Sequence, residues 1–296
     1  MAGASFIEEV IDFSIGRVAV RRTIRNEPSQ GTVLLINGAI ATISTARWAE
    51  KGLQNFDLVA FDFPNMGRSR AMNQTLGVVS KEDEARLVLE FIERYRIDHL
   101  ISTSWGGSAL LLTLLAKPPH VRSAIVASFS LGVQPRLATL SRQLLAFAAI
   151  GDRAGAADLI INGLGEFLSE GLKRVYRSYF LDLDDLQLAY AAEQIRYVMA
   201  QEAEGYLKKF TEVDIPILFL NGGEDRYTPP ESVRAIGGYL TNSLFHVVPG
   251  AGHFLTNESR ATFHHVCEVV NGFLVESVTA QCGAPRWEQP GQGAVR

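Results

Sequence analysis

Short apolar runs alternate with segments of helical spacing along the first 130 residues of the chain. The runs at 32–36, 56–61 and 100–103 are rich in aliphatic and β-branched residues and have the length of buried strands. Strands that alternate with helices are typical of a parallel sheet covered on both faces. The sequence therefore predicts an α/β protein with a mostly parallel central sheet flanked by helices.

The pattern changes between about residues 131 and 210, where helical spacing continues and the alternation with strands is lost. Leu, Ile, Phe and Tyr recur at helical intervals in three segments, with Arg and Glu between them: 137–150, 157–180 and 186–199. We interpret this part as a helical cap inserted into the sheet domain. Its apolar faces are expected to pack on the sheet domain and to build an apolar pocket.

Strand-like runs resume after the cap, at 215–221 and 244–248. The last twenty residues are rich in Gly, Pro and Gln, a composition typical of disordered tails. We therefore predict four parts: the first part of the core at 1–130, the cap at 131–210, the second part of the core at 211–276, and a disordered tail at 277–296.

Ser104 is the predicted nucleophile, because it follows a strand-like run and precedes a helical one with small residues around it. A serine on such a tight strand-to-helix turn projects above the sheet, towards the N-terminus of the following helix. The usual spelling of this turn is Gly-x-Ser-x-Gly, and here Ser102 replaces the first glycine. The alternative is an ordinary buried helix start.

An acid and a histidine follow later strands, which supports a catalytic role for Ser104. Asp225 comes after the run at 215–221, and His253 lies in a glycine-rich loop after the run at 244–248. A serine hydroxyl is a weak nucleophile until a histidine takes its proton, and a carboxylate fixes the tautomer of that histidine. The order Ser, Asp, His is that of α/β-hydrolases.

Two backbone amides are expected to bind the oxyanion that develops on the attacked carbonyl. The strand at 32–36 is followed by Gly38, which permits a sharp turn that brings the amide of Ala39 near Ser104. The second donor is the amide of Trp105, directly after the nucleophile. The strand and glycine turn at 56–69 are expected to have a structural role.

Composition excludes several classes of protein. A formal charge of -4 gives no basis for a nucleic-acid surface. The N-terminus has no secretory signal pattern, and the longest apolar run, 109–116, is too short to cross a membrane. Two cysteines provide neither a disulfide framework nor a metal site, and no nucleotide-binding motif is present. We expect a cytoplasmic protein without cofactor or metal.

Five stretches of the sequence resemble one family of α/β-hydrolases, over about residues 18–274. The stretches are 37–42, 80–84, 102–107, 127–130 and 251–255. They look like the hydroxyacyloxyalkanoate synthase of bacterial rhamnolipid synthesis and the β-hydroxyacyl-ACP transacylase or thioesterase of polyhydroxyalkanoate synthesis. The resemblance implies an α/β-hydrolase fold and an acyltransferase. It also implies β-hydroxyacyl substrates carried on acyl carrier protein or coenzyme A, and catalysis by Ser104, Asp225 and His253.

The sequence departs from this family after the acid and in the cap. Asp225 is followed by Arg-Tyr-Thr-Pro at 226–229 instead of Glu-Tyr-Thr-Thr, and Ala-Ala-Glu-Gln at 191–194 replaces His-x-Asp-Gln. These changes leave the catalytic residues in place and put the length of the acyl group and the acyl acceptor in doubt. In the cap, Lys173, Arg174 and Arg177 form a basic cluster that is either a solvated helix face or a docking site for an acidic carrier protein.

Three function classes follow from these observations. The main prediction is a serine acyltransferase that takes medium-chain β-hydroxyacyl groups from acyl carrier protein or coenzyme A and esterifies two of them to a rhamnolipid precursor. The alternative is a transacylase that moves one such group from acyl carrier protein to coenzyme A, or a thioesterase of polyhydroxyalkanoate synthesis. The second class is a thioesterase or carboxylesterase, in which water is the acceptor. The third class is a binding protein that keeps the fold without catalysis. A cofactor-free haloperoxidase or a carbon-carbon hydrolase would use the same three residues.

Overall fold

The computed structural model describes residues 3–38, 40–130, 134–201 and 203–279. Within these ranges one eight-stranded sheet forms the centre of the molecule. Its strands are β1 (Ala4–Phe13), β2 (Gly16–Arg25), β3 (Thr32–Ile36), β4 (Asp57–Phe61), β5 (His99–Thr103), β6 (Ser123–Ala127), β7 (Ile217–Gly222) and β8 (Ser243–Val248). They lie in the order β1-β2-β4-β3-β5-β6-β7-β8. The pairs β1–β2 and β2–β4 are antiparallel, and every later pair is parallel.

Helices follow most of the parallel strands. They are α1 (Arg47–Gly52), α2 (Gly67–Met72), α3 (Lys81–Tyr95), α4 (Gly106–Leu114), α5 (Pro135–Ile150), α6 (Arg153–Gly163), α7 (Glu170–Leu181), α8 (Asp185–Ala200), α9 (Ala203–Lys208), α10 (Pro230–Arg234) and α11 (Arg260–Thr279). Short 3-10 turns add Ile43–Ala46, Lys209–Glu212, Ala235–Gly238 and Leu255–Asn257. No helix among the described residues is both long and apolar enough to cross a membrane.

The central strands are apolar on both faces because helices cover the sheet on both sides. In β3, Leu34 and Ile36 belong to the core layer that contains Leu110 of α4, whereas Val33 and Leu35 belong to the opposite layer. This alternation follows from the two-residue period of a strand. The two layers hold the carboxyl ends of the parallel strands at one edge, where the predicted site residues lie.

The helices α5 to α9 lie between β6 and β7 in sequence, in the segment predicted as the cap, and are called the cap below. The predicted helical segment 157–180 is divided into α6 and α7. Ser169 accounts for the division, because its side chain accepts a hydrogen bond from the Leu172 amide and begins a new helix there.

The predicted disordered tail begins three residues too early. Helix α11 continues to Thr279, and the buried Ser277 hydroxyl donates a hydrogen bond to the carbonyl of Phe273 one turn earlier. The apolar period of the helix therefore overrides the composition signal at 277–279. The remainder of the predicted tail, 280–296, lies outside the described residues.

His99, at the start of β5, makes the stability of the fold depend on pH. Its side chain is fully buried, its Nδ1 lies 2.9 Å from the Ser123 hydroxyl, and the edge of its ring faces Phe56. Burial lowers the pKa of His99 from 6.5 to about 4. Between these two values the unfolded protein binds a proton that the folded protein does not. The contribution of neutral His99 to the free energy of unfolding is therefore fully present above pH 6.5 and is lost as the pH falls towards 4.

We expect acidification from pH 7 to pH 4.5 to lower the free energy of unfolding by about 2.5 kcal/mol more in the wild type than in His99→Gln. Glutamine does not titrate, so the difference isolates the contribution of His99 from that of the other ionisable groups. Urea unfolding at the two pH values measures it. The same loss in both proteins would show that His99 does not cause the effect.

Candidate active site

Ser104 lies on a tight turn between β5 and α4, as the sequence predicts. Its φ of +50° is in the left-handed region, which a residue with a Cβ rarely adopts. Gly106 lets the helix approach the sheet, because a Cβ there would lie 2.5 Å from the carbonyl oxygen of Asn37. Ser102 is fully buried beneath the turn, which confirms that a serine fits in place of the usual glycine. The turn therefore places the Ser104 side chain above the carboxyl edge of the sheet.

The structure brings Ser104, His253 and Asp225 together, although 149 residues separate the first two in sequence. His253 Nε2 lies 3.2 Å from Ser104 Oγ, and His253 Nδ1 lies 2.8 Å from Asp225 Oδ2. Asp225 is reached three residues after the end of β7, and His253 five residues after the end of β8. Two neighbouring parallel strands thus bring Asp225 and His253 to the same edge.

The Asp225 carboxylate is held in its ionised form. Burial acts to raise its pKa, but the His253 imidazole and hydrogen bonds from Thr228 outweigh burial and lower the pKa below its ordinary value. Both the amide and the hydroxyl of Thr228 donate to this carboxylate, as does the Tyr227 amide at 2.9 Å. An ionised carboxylate only accepts hydrogen bonds, so His253 Nδ1 must donate. That tautomer leaves Nε2 free to accept the Ser104 proton.

Two groups that were not predicted from the sequence hold the histidine loop. The Glu258 carboxylate accepts hydrogen bonds from the amides of Gly252 at 2.6 Å and Phe254 at 2.8 Å, on either side of His253. The Ser128 hydroxyl donates to the carbonyl of His253 at 2.6 Å. Burial raises the pKa of Glu258, although the two amides act to lower it. The backbone of His253 is therefore fixed on three sides.

Only one of the two predicted oxyanion donors lies in the described part of the protein. Trp105 directly follows Ser104, with helical dihedral angles at the start of α4. Ala39 lies outside the described residues, between Gly38 and Ile40. Gly38 does not have the positive φ expected of a sharp glycine turn; instead, a Cβ there would lie 3.4 Å from the Cβ of Ser104. The absence of a side chain at Gly38 therefore allows the loop to approach Ser104 closely.

The loop that contains Gly38 is anchored by buried polar side chains. Asn37 donates to the carbonyl of Phe61 at 2.9 Å and accepts from the Thr45 hydroxyl at 2.9 Å. The Asp62 carboxylate, at the end of β4, accepts from the Ile43 amide at 2.7 Å and from the Arg68 amide at 2.8 Å. The segment at 56–69 thus anchors this loop through hydrogen bonds.

An apolar cavity of about 380 Å³ lies between the cap and the edge of the sheet, a size typical of small-molecule sites. Ser104, Trp105 and His253 form part of its wall. The remaining wall is mostly apolar, and the cap contributes many of its side chains, including Leu140, Leu144, Ile160, Phe180 and Ile195. Ser104 therefore lies in the wall of a largely apolar space.

Within the described ranges, no group of three or more His, Cys, Asp or Glu side chains is arranged to hold a metal ion. Cys267 is buried with a free thiol. Cys282 lies outside the described residues.

Comparison with known proteins extends these observations. A family model described as the alpha/beta hydrolase family matches residues 33–265. The chain is 34% identical to the (R)-3-hydroxydecanoyl-ACP:CoA transacylase of Pseudomonas aeruginosa, over 84% of this chain and 83% of that protein. It is 32% identical to the protein of the same name from Pseudomonas putida, over 86% of each.

A solved structure of a thermophilic esterase from Thermogutta terrifontis superposes with a TM-score of 0.72 at 19% identity, covering 93% of this protein and all of the esterase. Such a likeness concerns the fold alone. With the family match, it confirms the predicted α/β-hydrolase fold.

Proposed function

Because this chain belongs to the alpha/beta hydrolase family, we propose that it is a serine acyltransferase that moves a 3-hydroxyacyl group from acyl carrier protein to coenzyme A. The observation that carries the proposal is the Ser104–His253 contact in the wall of an apolar cavity. The names of the relatives support the choice of donor and acceptor, since both Pseudomonas proteins are called ACP:CoA transacylases.

In the first half of the reaction, Ser104 Oγ attacks the carbonyl carbon of the thioester and its proton passes to His253 Nε2. The carbonyl electron pair moves to oxygen, and the oxyanion accepts hydrogen bonds from the amides of Trp105 and Ala39. The carbon–sulfur bond then breaks, and the proton on Nε2 passes to the leaving sulfur. Asp225 stabilises the imidazolium that exists between the two proton transfers.

In the second half, the thiol of coenzyme A attacks the acyl-enzyme. Its proton passes to His253 Nε2, a new carbon–sulfur bond forms, and the Ser104 oxygen leaves with the proton from Nε2. Water in place of the thiol would give a free acid, and an alcohol would give an ester. The reaction is therefore decided by which acceptor reaches the acyl carbon beneath the cap.

The comparisons favour transfer to coenzyme A over the joining of two hydroxyacyl groups, which was the main prediction from the sequence. Both Pseudomonas relatives carry the transacylase name. Synthesis of a rhamnolipid precursor stays a prediction without such support. Within the departure at 226–229, Thr228 donates two hydrogen bonds to Asp225.

The basic cluster of the cap supports carrier docking less than its charges suggest. Lys173 pairs with Glu170 at 3.1 Å, and Arg177 pairs with Asp158 at 2.7 Å. Two of its three charges are therefore balanced within the cap. Acyl carrier protein as the donor is supported by the names of the relatives and not by this surface.

We expect purified protein, given 3-hydroxydecanoyl-ACP and coenzyme A, to form 3-hydroxydecanoyl-CoA at least tenfold faster than free acid. The acyl-enzyme needs a thiol acceptor in a site that excludes water, so omitting coenzyme A should stop turnover after one acyl group per enzyme. Mass spectrometry separates the three possible products. Free acid at the same rate with and without coenzyme A would identify a thioesterase, and a hydroxyacyl dimer would identify the ester-forming alternative.

A further inference from the structure

Four buried polar side chains next to the nucleophile turn have no part in the proposed chemistry. Lys81 and Glu84 lie on the first turn of α3, and Tyr190 and Gln194 lie on the cap helix α8. Each is at most 3% exposed. A charged pair buried to this extent is costly unless its groups are well paired, and an apolar pair of the same size would often be as stable. The pair therefore calls for a role other than stability.

The four side chains form one hydrogen-bonded cluster centred on the Glu84 carboxylate. Lys81 Nζ lies 2.6 Å from Glu84 Oε2. The Tyr190 hydroxyl and the Gln194 amide, the latter at 2.7 Å, both donate to Glu84 Oε1. The start of α3 is set by the capping box of Ser80 and Asp83. The three-residue spacing of Lys81 and Glu84 then places both on the same side of the helix. The cluster thus joins the cap to the sheet domain.

The cluster also reaches the residue that follows the nucleophile. Lys81 Nζ donates to the carbonyl of Trp105 at 3.3 Å, and the Ser108 amide donates to the same carbonyl at 3.2 Å. The indole of Trp105 packs against the cap cluster that contains Leu137 and Ile195. Trp105 is therefore held by Lys81 at its carbonyl and by the cap at its side chain.

We infer that the Lys81–Glu84 pair is a positioning unit that couples the seating of cap helix α8 to the orientation of Trp105, and so to the oxyanion donor at its amide. The inference rests on the proposed role of Ser104 and does not depend on which acceptor receives the acyl group. It also gives a role to the segment at 80–84, one of the five stretches that carry the family resemblance.

Loss of this coupling should lower kcat and leave KM nearly unchanged. An oxyanion donor interacts with the charge that develops in the transition state and little with the bound substrate. Complete removal of such a donor costs about 100- to 1000-fold in kcat. A misplaced donor costs less, so we expect Lys81→Met to lower kcat by about 10- to 100-fold and Tyr190→Phe to lower it by a smaller factor.

The test compares these two variants with Arg70→Met in the cleavage of 4-nitrophenyl decanoate, with coenzyme A present as the acyl acceptor. Arg70 pairs with Asp184 at 2.8 Å, at the N-terminus of the same cap helix, and neither residue belongs to the Lys81–Glu84–Tyr190–Gln194 cluster. Arg70→Met therefore removes a tether of α8 without touching the nucleophile turn, and its kcat should stay within twofold of wild type. The affinity for a trifluoromethyl ketone with the same number of carbons as the decanoyl group should fall in parallel with kcat in Lys81→Met and Tyr190→Phe.

Equal losses of kcat in Lys81→Met and Arg70→Met would overturn the inference, because general loosening of the cap would then explain both. Lower thermal stability of Lys81→Met and Tyr190→Phe with unchanged kcat would also overturn the inference, because this result indicates a structural role alone. If Lys81→Met does not fold, Tyr190→Phe decides, since it removes a single hydroxyl. A wild type without Ser104-dependent cleavage would overturn the proposed function as well, so the two failures are distinguishable.

Discussion

Replacing Ser104 with alanine is expected to lower acyl transfer by roughly four orders of magnitude or more and to leave the fold intact. The hydroxyl that accepts the acyl group is lost, while alanine keeps the Cβ and hence the same backbone strain at φ +50°. His253→Ala should cost a comparable factor, because the two residues act as one unit. Consumption of 3-hydroxydecanoyl-ACP measures the loss, and circular dichroism measures the fold.

Ser102→Ala is the matched control for this change. Ser102 lies two residues before Ser104 and is fully buried, and its hydroxyl donates to the carbonyl of Ile125 at 3.4 Å. Its replacement should leave turnover within a few-fold of wild type. Turnover near the wild-type rate in Ser104→Ala would remove Ser104 as the nucleophile.

The second large effect concerns the length of the acyl group. We expect kcat/KM to rise by about fourfold per added methylene as the acyl group lengthens towards eight to twelve carbons, because each buried methylene contributes about 0.8 kcal/mol. The apolar cavity of about 380 Å³ above Ser104 supplies the surface. A series of 4-nitrophenyl esters from acetate to laurate, assayed with coenzyme A as the acyl acceptor, measures the slope.

Ala148→Phe tests the cavity directly. Ala148 lies on α5 in the cavity wall, whereas its neighbour Ala149 is exposed to solvent. The added ring of Ala148→Phe should reduce decanoate cleavage at least tenfold relative to butyrate cleavage, and Ala149→Phe should not change this ratio. A wild-type rate that does not depend on acyl length, or an equal effect of both variants, would place the acyl group elsewhere.

The placement of the candidate site residues could be predicted from the sequence because these residues follow strands that are buried on both faces. Such strands appear as continuous apolar runs, and the run at 32–36 coincides with β3. Ser104 lies directly after one such run, and the acid and the histidine follow two others within a few residues. Local pattern and sequence order were therefore sufficient to select these three residues.

The antiparallel hairpin of β1 and β2 was not predicted. Its outer strand is half-exposed, with Phe6 54% and Val10 46% accessible, so it lacks a continuous apolar run. Charged pairs across the hairpin and its neighbours, such as Arg21 with Glu8, replace the apolar signal. A strand of this kind is defined by its partner rather than by its own hydropathy.

The supporting groups were missed for a different reason. Glu84 and Gln194 are 110 residues apart in sequence, and a Lys-Glu segment ordinarily indicates a solvated helix face. Glu258 gave no signal beyond its place five residues after His253. Contacts of this kind depend on the folded arrangement of α3, α8 and the histidine loop, which hydropathy does not encode.

The role of Ser104 as the acylated nucleophile is tested most directly by trapping the acyl-enzyme. Protein is mixed briefly with 3-hydroxydecanoyl-ACP in the absence of coenzyme A, quenched in acid, digested and analysed by mass spectrometry. We predict one 3-hydroxydecanoyl group on the peptide that contains Ser104, lost when coenzyme A is added before the quench. Acylation of a different residue, or continued turnover without any acylated peptide, would contradict this mechanism.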